Sequence, residues 1–216
     1  MSLTRRFPWL RPLLPAAVIA AGWGSCARGE GPLVAFLGDS LTSGYRLRED
    51  EAYPALVSVA LRERGKAIRV VNAGKSGDTV RQGLTRLPSV LRLRPDVVVV
   101  ALGTNDVLRG LSLTAAEADL DRIVRDCEAG GARVLLVGVR FPSTLGADRS
   151  QELDALYARL AVSRHVPLVP DLVRGVAGHP QLLMPDGLHP NAAGQQQLAR
   201  NVARDVELLL AEARHP

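Results

Sequence analysis

Hydrophobic and polar positions occur along this chain in blocks, not in single alternation. Short runs rich in Val, Leu and Ile occupy residues 33–37, 68–71, 97–102 and 134–139, with a shorter run at 166–169. Runs of this kind, without polar alternation, are typical of strands that are buried on both faces. Longer segments with helical spacing separate them, at about residues 52–64, 79–94, 115–129, 149–164 and 192–213. The pattern predicts an α/β fold with a five-stranded parallel sheet and helices on both faces.

The length and composition are those of one folded domain. The chain has 216 residues, of which 47% are hydrophobic and 23% charged. A chain of this length can bury a substantial core, and no segment has the composition of a disordered region. We place the domain at residues 30–214.

Residues 1–25 have the pattern of a secretory signal peptide. A short basic region at residues 1–6 precedes a mostly small or apolar stretch at residues 13–21, and Gly24 and Ser25 then precede Cys26. The apolar stretch is too short to span a bilayer stably. Two fates of Cys26 stay open. Gly24-Ser25-Cys26 resembles the end of a bacterial lipoprotein signal, in which Cys26 would be lipidated and attach the protein to a membrane. Alternatively, the leader is cleaved near Cys26 without lipidation, or is retained.

The charge of the chain argues against nucleic-acid binding. The formal net charge is +5, but Arg5, Arg6 and Arg11 all lie in the leader. Without residues 1–25 the chain has 24 basic and 22 acidic residues. The remaining charges of both signs are interspersed, and only three Phe and three Tyr are available for stacking on bases.

The cysteines and histidines do not form a metal-binding pattern. Cys127 lies in a predicted helix, where we expect a buried inert thiol, although a disulfide with Cys26 is a second reading. No spacing of His and Cys fits a zinc site, since the four histidines are scattered. We therefore expect neither a metal nor a cofactor.

Four polar segments follow predicted strands. They are Gly38-Asp39-Ser40, residues 72–79, Gly103-Thr104-Asn105-Asp106 and Asp186-Gly187-Leu188-His189. In an open parallel sheet, ligands bind beyond the carboxyl ends of the strands, and the first three segments would be neighbours if the strand order is 2-1-3-4-5. A hydroxyl, hydrogen-bond donors and an Asp/His pair at one sheet edge favour a hydrolase.

Each of these motifs has a plainer interpretation when taken alone. Ser40 after Gly-Asp is typical of a turn or helix cap, and Asp186-Gly187 of a turn. Gly74-Lys75-Ser76 resembles the end of a phosphate-binding P-loop, but that motif needs Gly where Arg69 stands. The order of all four segments at strand ends favours catalysis over the plainer readings.

The four segments resemble the sequence blocks of the GDSL esterases, the SGNH hydrolase superfamily. The motifs are Gly38-Asp39-Ser40-Leu41, Ser76-Gly77-Asp78-Thr79, Gly103-Thr104-Asn105-Asp106 and Asp186-Gly187-Leu188-His189-Pro190. Residues 72–79 and 102–110 are most similar to the bacterial thioesterase I/lysophospholipase and arylesterase branch. The resemblance covers about residues 33–210. It implies a flavodoxin-like three-layer α/β/α fold, serine hydrolysis of acyl esters without a metal, and a periplasmic or secreted enzyme.

The resemblance also implies a role for each motif residue. Ser40 would be the nucleophile, His189 the general base and acid, and Asp186 the carboxylate that orients the imidazole. The oxyanion would be bound by the backbone N–H groups of Ser40 and Gly77 and by the side-chain amide of Asn105. Asp39 is interpreted as structural, and His179 is the runner-up base, without a nearby carboxylate in sequence.

The substrate is less determined than the reaction. Leu108, Leu111, Phe141 and Leu145 follow the third and fourth strands and would line the acyl group, or else be ordinary packing. We expect a small-molecule or lipid acyl ester, including thioesters or lysophospholipids, bound by a monomer. One alternative is an acetyl esterase of cell-wall or plant polysaccharide. Another is a non-enzymatic envelope-binding protein, which would be expected to have lost Ser40 or His189, yet the chain has both.

Overall fold

A parallel sheet of five strands lies at the centre of the protein. The computed structural model describes residues 31–140 and 147–212, and its strands are β1 (Leu33–Gly38), β2 (Arg69–Gly74), β3 (Val97–Ala101), β4 (Arg133–Val137) and β5 (Leu168–Val169). The strand order is β2-β1-β3-β4-β5, with Val34 paired to Val70 on one side and to Val97 on the other. The order that would make the three polar loops neighbours is confirmed.

The five long helices agree with the predicted segments to within three residues at each end. They are α2 (Tyr53–Glu63), α3 (Val80–Leu91), α5 (Leu113–Ala129), α6 (Ala147–Arg164) and α7 (Ala192–Glu212), and the largest difference is at the end of α3. Two short helices were not predicted, α1 (Ser40–Ser43) and α4 (Thr104–Leu108), and each begins in a polar loop after a strand. Four or five residues are too few to carry a helical period, so hydrophobic spacing has no means of detecting them.

Two hydrophobic cores lie on opposite faces of the sheet. Along β1, Val34 and Phe36 contribute to one core and Ala35 and Leu37 to the other. The first core contains residues of α2 and α7, and the second contains residues of α3, α5 and α6. The three-layer α/β/α architecture is therefore confirmed. One detail differs from the expectation of strands buried on both faces, since β2 is an edge strand and only half-buried along its length.

Two further predictions concern residues away from the sheet edge. Cys127 is a buried free thiol, and its burial raises the pKa of the thiol to about 12, so it stays protonated and unreactive as expected. Cys26, Phe141 and Leu145 lie outside the described residues. Within residues 31–140 and 147–212, no helix is long and apolar enough to cross a membrane.

Gln195, near the start of α7, supports the loop that contains Ser40. Helix α2 begins after Ala52, which offers no side-chain cap, and the Tyr53 N–H donates instead to Gln195 Oε1 at 2.8 Å. The Gln195 amide donates in turn to the carbonyl of Leu41 at 3.2 Å. Gln195 is 1% exposed, so these backbone groups have no ready access to water.

Replacing Gln195 by Leu should destabilise the fold. The substitution leaves the Tyr53 N–H and the Leu41 carbonyl without this partner in a buried place, and we expect the free energy of unfolding to fall by about 2 kcal/mol. Urea unfolding measures the change, with Gln196→Leu as the matched control, because Gln196 is the next residue but is exposed. Equal losses in the two variants would contradict the capping role.

Candidate active site

Ser40 lies where β1 gives way to a tight turn of helix. Asp39 caps α1, its carboxylate accepting a hydrogen bond from the Leu41 N–H at 3.0 Å, and Ser40 is the first residue of that helix. The helix packs very closely on the end of β2, since a Cβ added at Gly74 would lie 2.3 Å from the backbone N of Ser43. Glycine at position 74 is therefore required for the nucleophile loop to approach its neighbour.

His189 and Asp186 meet Ser40 across 149 residues of sequence. The Nε2 atom of His189 lies 3.0 Å from Ser40 Oγ, and its Nδ1 atom lies 2.9 Å from Asp186 Oδ2. The other carboxylate oxygen, Oδ1, accepts from the backbone N–H groups of Leu188 at 2.9 Å and His189 at 3.0 Å. The carboxylate thus holds both the ring and the backbone of the histidine, and His179 is not part of this arrangement.

These contacts also fix the charge of Asp186. Slight burial acts to raise the pKa of Asp186. The hydrogen bonds from the backbone N–H groups of His189 and Leu188, together with the imidazole, outweigh this effect and lower the pKa of Asp186 to about 2. The carboxylate is therefore an anion at neutral pH. An anion at Nδ1 favours the imidazole tautomer with its proton on Nδ1, which leaves Nε2 free to accept a proton from Ser40.

Tyr45 is a site residue that sequence reasoning missed. Its ring centroid lies 4.3 Å from that of His189, at an interplanar angle of 34°. The guanidinium of the next residue, Arg46, lies 5.0 Å from the centroid of the Tyr45 ring. Tyr45 follows Ser40 by five positions, after a glycine turn at Gly44 with φ of +69°. The only signal in the sequence was an aromatic residue shortly after the nucleophile, which is too common to interpret.

Gly77 lies in the loop after β2, and Asn105 is the second residue of the short helix α4, which follows β3. Gly77 has a φ of +82°, in the left-handed region that favours glycine, and its carbonyl accepts from Arg109 at 2.6 Å. The Asn105 amide nitrogen donates to the carbonyl of Asp78 at 3.0 Å and lies 3.4 Å from Asp39 Oδ2. The amide nitrogen has two N–H bonds. The hydrogen bond to the Asp78 carbonyl orients the amide, and because the contact with Asp39 is long, the second N–H can donate to a ligand.

One cavity of about 220 Å³ contains most of the predicted site. Its lining includes four of the predicted catalytic and oxyanion-binding residues, namely Ser40, Gly77, Asn105 and His189. Leu108 also lines it, as predicted for an acyl wall, together with Leu41, Tyr45 and Leu188. Leu111 is 41% exposed and is not among the residues that line this cavity in the described part of the chain. The cavity is lined by both apolar and polar residues, a combination typical of sites for small organic ligands.

Asp39 is buried beside this cavity and is 1% exposed. Burial raises the pKa of its carboxyl to about 7, against the hydrogen bond from the Leu41 N–H, which acts to lower it. The structural role predicted for Asp39 agrees with its contacts to Leu41 and Asn105. Asp106 accepts a hydrogen bond from the N–H of Val80, the first residue of α3, at 3.0 Å.

The arrangement is suited to nucleophilic chemistry. A serine hydroxyl is a weak nucleophile until a base removes its proton, and His189 Nε2 is at hydrogen-bond distance. Donors from three loops face the same cavity, where negative charge would develop on a carbonyl oxygen. In the described part of the chain, no group of three or more His, Cys, Asp or Glu side chains is arranged to hold a metal ion.

Comparison with known proteins gives a consistent result. The profile of the GDSL-like Lipase/Acylhydrolase family matches residues 36–197. Thioesterase 1/protease 1/lysophospholipase L1 of Escherichia coli strain K12 is 39% identical over 175 residues, which cover 81% of this chain and 83% of the relative. An arylesterase of Vibrio mimicus is 36% identical over 79% of this chain and 86% of its own. The crystal structure of TesA superimposes with a TM-score of 0.78 at 34% identity, covering 82% of this chain and 99% of the other.

Replacing Asp39 by Asn should change how stability depends on pH. In the unfolded chain the carboxyl ionises near its ordinary pKa of 3.8, whereas in the folded protein it ionises near 7. At pH values between these two pKa values, the folded state binds the proton more tightly than the unfolded chain. The free energy of unfolding of the native protein, relative to that of Asp39→Asn, should therefore fall as pH rises from about 4 to about 7. The fall should be roughly 1.4 kcal/mol for each unit by which the two pKa values differ.

Urea unfolding at several pH values measures this difference. Asp50→Asn is the control, because Asp50 is exposed and the hydrogen bond from Arg48 lowers its pKa, so its difference should not fall over the same range. A difference between native protein and Asp39→Asn that stays flat across this range would show that Asp39 titrates normally.

Proposed function

Because the chain belongs to the GDSL-like lipase/acylhydrolase family and is a carboxylic ester hydrolase, we propose that it cleaves acyl esters through an acyl-enzyme on Ser40. The observation that carries this proposal is the 3.0 Å contact between His189 Nε2 and Ser40 Oγ, with Asp186 on the far side of the ring. It is the hydrogen-bonded order of nucleophile, base and orienting carboxylate that serine hydrolysis requires.

In the first half of the reaction, Ser40 Oγ attacks the acyl carbonyl carbon while its proton passes to His189 Nε2. The imidazolium that forms is stabilised by the Asp186 carboxylate. The same proton then passes to the leaving alkoxide or thiolate, the bond from the carbonyl carbon to the leaving group breaks, and the acyl group remains on Ser40.

Water completes the second half of the cycle. His189 Nε2 takes a proton from the water as its oxygen attacks the acyl-enzyme, and returns that proton to Ser40 Oγ as the carboxylic acid leaves. In both halves the carbonyl oxygen becomes negative. The backbone N–H groups of Ser40 and Gly77 and the amide of Asn105 donate to it, and each such donor contributes about 2.7–4 kcal/mol to the transition state.

The substrate class we propose is an acyl ester of moderate size, with thioesters and lysophospholipids included. The relative from Escherichia coli is named as a thioesterase and a lysophospholipase, and the one from Vibrio mimicus as an arylesterase. Leu108 and Leu188 give the cavity an apolar wall for an acyl chain. Activity restricted to acetyl groups is the alternative, favoured by the small volume of about 220 Å³.

Export from the cytoplasm is part of the proposal. It is supported by the basic and apolar pattern of residues 1–25, which precedes a domain that we place at residues 30–214. A monomeric state completes the proposal, and both fates of Cys26 stay open. Mass spectrometry of the protein purified from the membrane and soluble fractions distinguishes a lipidated Cys26 from a leader that is cleaved without lipidation or retained.

Ser40→Ala should abolish ester hydrolysis and leave the fold intact. Ser40 is a small, half-buried residue at the start of α1, so the loss of its hydroxyl should change the free energy of unfolding by no more than about 0.5 kcal/mol, while kcat should fall by about 10⁴-fold or more. Full activity in the purified variant would overturn the assignment of the nucleophile. Ser43→Ala is a matched control, since Ser43 lies in the same short helix but its hydroxyl bonds to the Ser40 carbonyl and to Ser76.

Asn105→Ala should mainly lower kcat. The amide contacts the reacting carbonyl oxygen most strongly when that oxygen is charged, so its removal should cost about 10²–10³-fold in kcat and little in KM. Steady-state kinetics on a p-nitrophenyl ester measures both constants. A rise in KM with unchanged kcat would place Asn105 in ground-state binding instead.

A panel of acyl esters and thioesters from acetyl to palmitoyl distinguishes the two substrate classes. The proposal predicts a rate maximum beyond acetyl, and a maximum at acetyl with a steep fall at longer chains supports the acetyl-esterase alternative. Parallel assays with a chelator should be unchanged, because no step uses a metal.

A further inference from the structure

Arg86 lies outside the cavity but contacts the loops that form it. It projects from the middle of α3, and its side chain is 22% exposed. Its Nη2 donates to the carbonyl of Gly38 at 2.8 Å, its Nη1 to the carbonyl of Ala73, and its Nε to Asp78 Oδ2 at 2.5 Å. Gly38 is the last residue of β1 and Ala73 is the next-to-last residue of β2, so one guanidinium joins the carboxyl ends of two strands.

The third contact connects Arg86 to the oxyanion donors. Asp78 follows Gly77 directly, and its own carbonyl accepts from the Asn105 amide at 3.0 Å. The Asp78 side chain is only 4% exposed, and its carboxylate forms a hydrogen-bonded ion pair with Arg86. Arg86 therefore holds the residue that follows Gly77 in the chain and that orients the Asn105 amide, while Arg109 binds the Gly77 carbonyl separately.

The geometry points to Arg86 as the positioning residue of the oxyanion site, an inference that rests on the proposed function. We infer that its planar fork fixes the Ser40, Gly77 and Asn105 loops relative to one another, without touching the substrate. A carbonyl oxygen gains most from donors that are already aligned when it becomes charged, and misplacement by about 1 Å can cost 10²-fold in rate.

Lysine cannot take this role. It keeps the positive charge, but its ammonium is a single point that cannot satisfy two carbonyls and a carboxylate in one plane. Arg86→Lys thus separates charge from geometry. We expect kcat to fall by about tenfold or more with KM within about twofold, since ground-state binding depends less on donor alignment than the transition state does.

A matched control exists on the same helix. Arg81 pairs with Asp119 at 2.7 Å but is 70% exposed, and neither residue lines the cavity. Arg81→Lys removes the same kind of fork from the same helix and should leave kcat and KM unchanged.

A double-mutant cycle with Asn105→Ala separates positioning from stability. If Arg86 acts by aligning the oxyanion donors, Arg86→Lys should cost less than about threefold in kcat once Asn105 is already Ala, because the two losses share one cause. Unfolding is followed for every variant, and the kinetics are measured well below the unfolding transition. An equal factor in both backgrounds, or an unchanged kcat in Arg86→Lys alone, overturns the inference.

Two outcomes keep this inference apart from the proposed function. An inactive Ser40→Ala with a fully active Arg86→Lys rejects Arg86 alone, whereas an active Ser40→Ala rejects both. If Arg86→Lys loses its cooperative unfolding transition, Asp78→Asn decides by the same cycle, since it keeps the side-chain shape and removes the charge that Arg86 pairs with. A fall in kcat that disappears in the Asn105→Ala background supports the inference, and an equal or absent fall overturns it.

Discussion

The active site depends on hydrogen bonds that side chains make where the parallel sheet ends. Within the sheet, each strand satisfies backbone groups of its neighbour, and at the carboxyl ends side chains add to this supply. Arg86 donates to the carbonyls of Gly38 and Ala73, and the Gly38 carbonyl also accepts from the Lys75 N–H at 3.0 Å. At the end of β3, the buried Tyr157 hydroxyl donates to the Leu102 carbonyl at 2.7 Å and accepts from the Leu102 N–H at 3.2 Å. These side chains hold the strand ends in place, and the polar loops therefore start from fixed positions.

The same constraint explains why the site is only partly predictable from sequence. The strands at residues 33–37 and 97–102 were found because burial on both faces leaves an apolar run, and the four motifs were found because they follow such runs. Gln195, Arg86 and Tyr157 were not found. Each makes at least one hydrogen bond to backbone that lies 48 residues or more away in sequence, and no local pattern marks an Arg or Tyr that will meet a distant carbonyl.

The supporting polar groups have a cost that is visible at Asp39. A carboxyl buried this deeply loses hydration when it is charged, and its neighbour Asp78 adds repulsion. Its value to the site is the cap on α1, which fixes the first turn after Ser40, and its contact with the Asn105 amide. Burying the Asp39 carboxyl thus lowers the stability of the fold, and in return its hydrogen bonds fix the backbone around Ser40. Functional sites generally break local rules of stability in this way.

His189 is held in place mainly by contacts within its own segment of the chain, unlike Gly77 and Asn105, which are held by residues of other segments. The segment around His189 closes on itself, because Met184 N–H donates to the His189 carbonyl at 2.7 Å and Leu183 forms a bridge with Pro190. The carboxylate that orients the ring comes from the same segment, only three residues before it. The ring therefore meets the nucleophile loop through two contacts, Ser40 Oγ and the face of Tyr45. A change at the oxyanion loops can alter the alignment of the donors while the Asp–His pair stays intact, which is why the two parts of the machinery should respond separately to substitution.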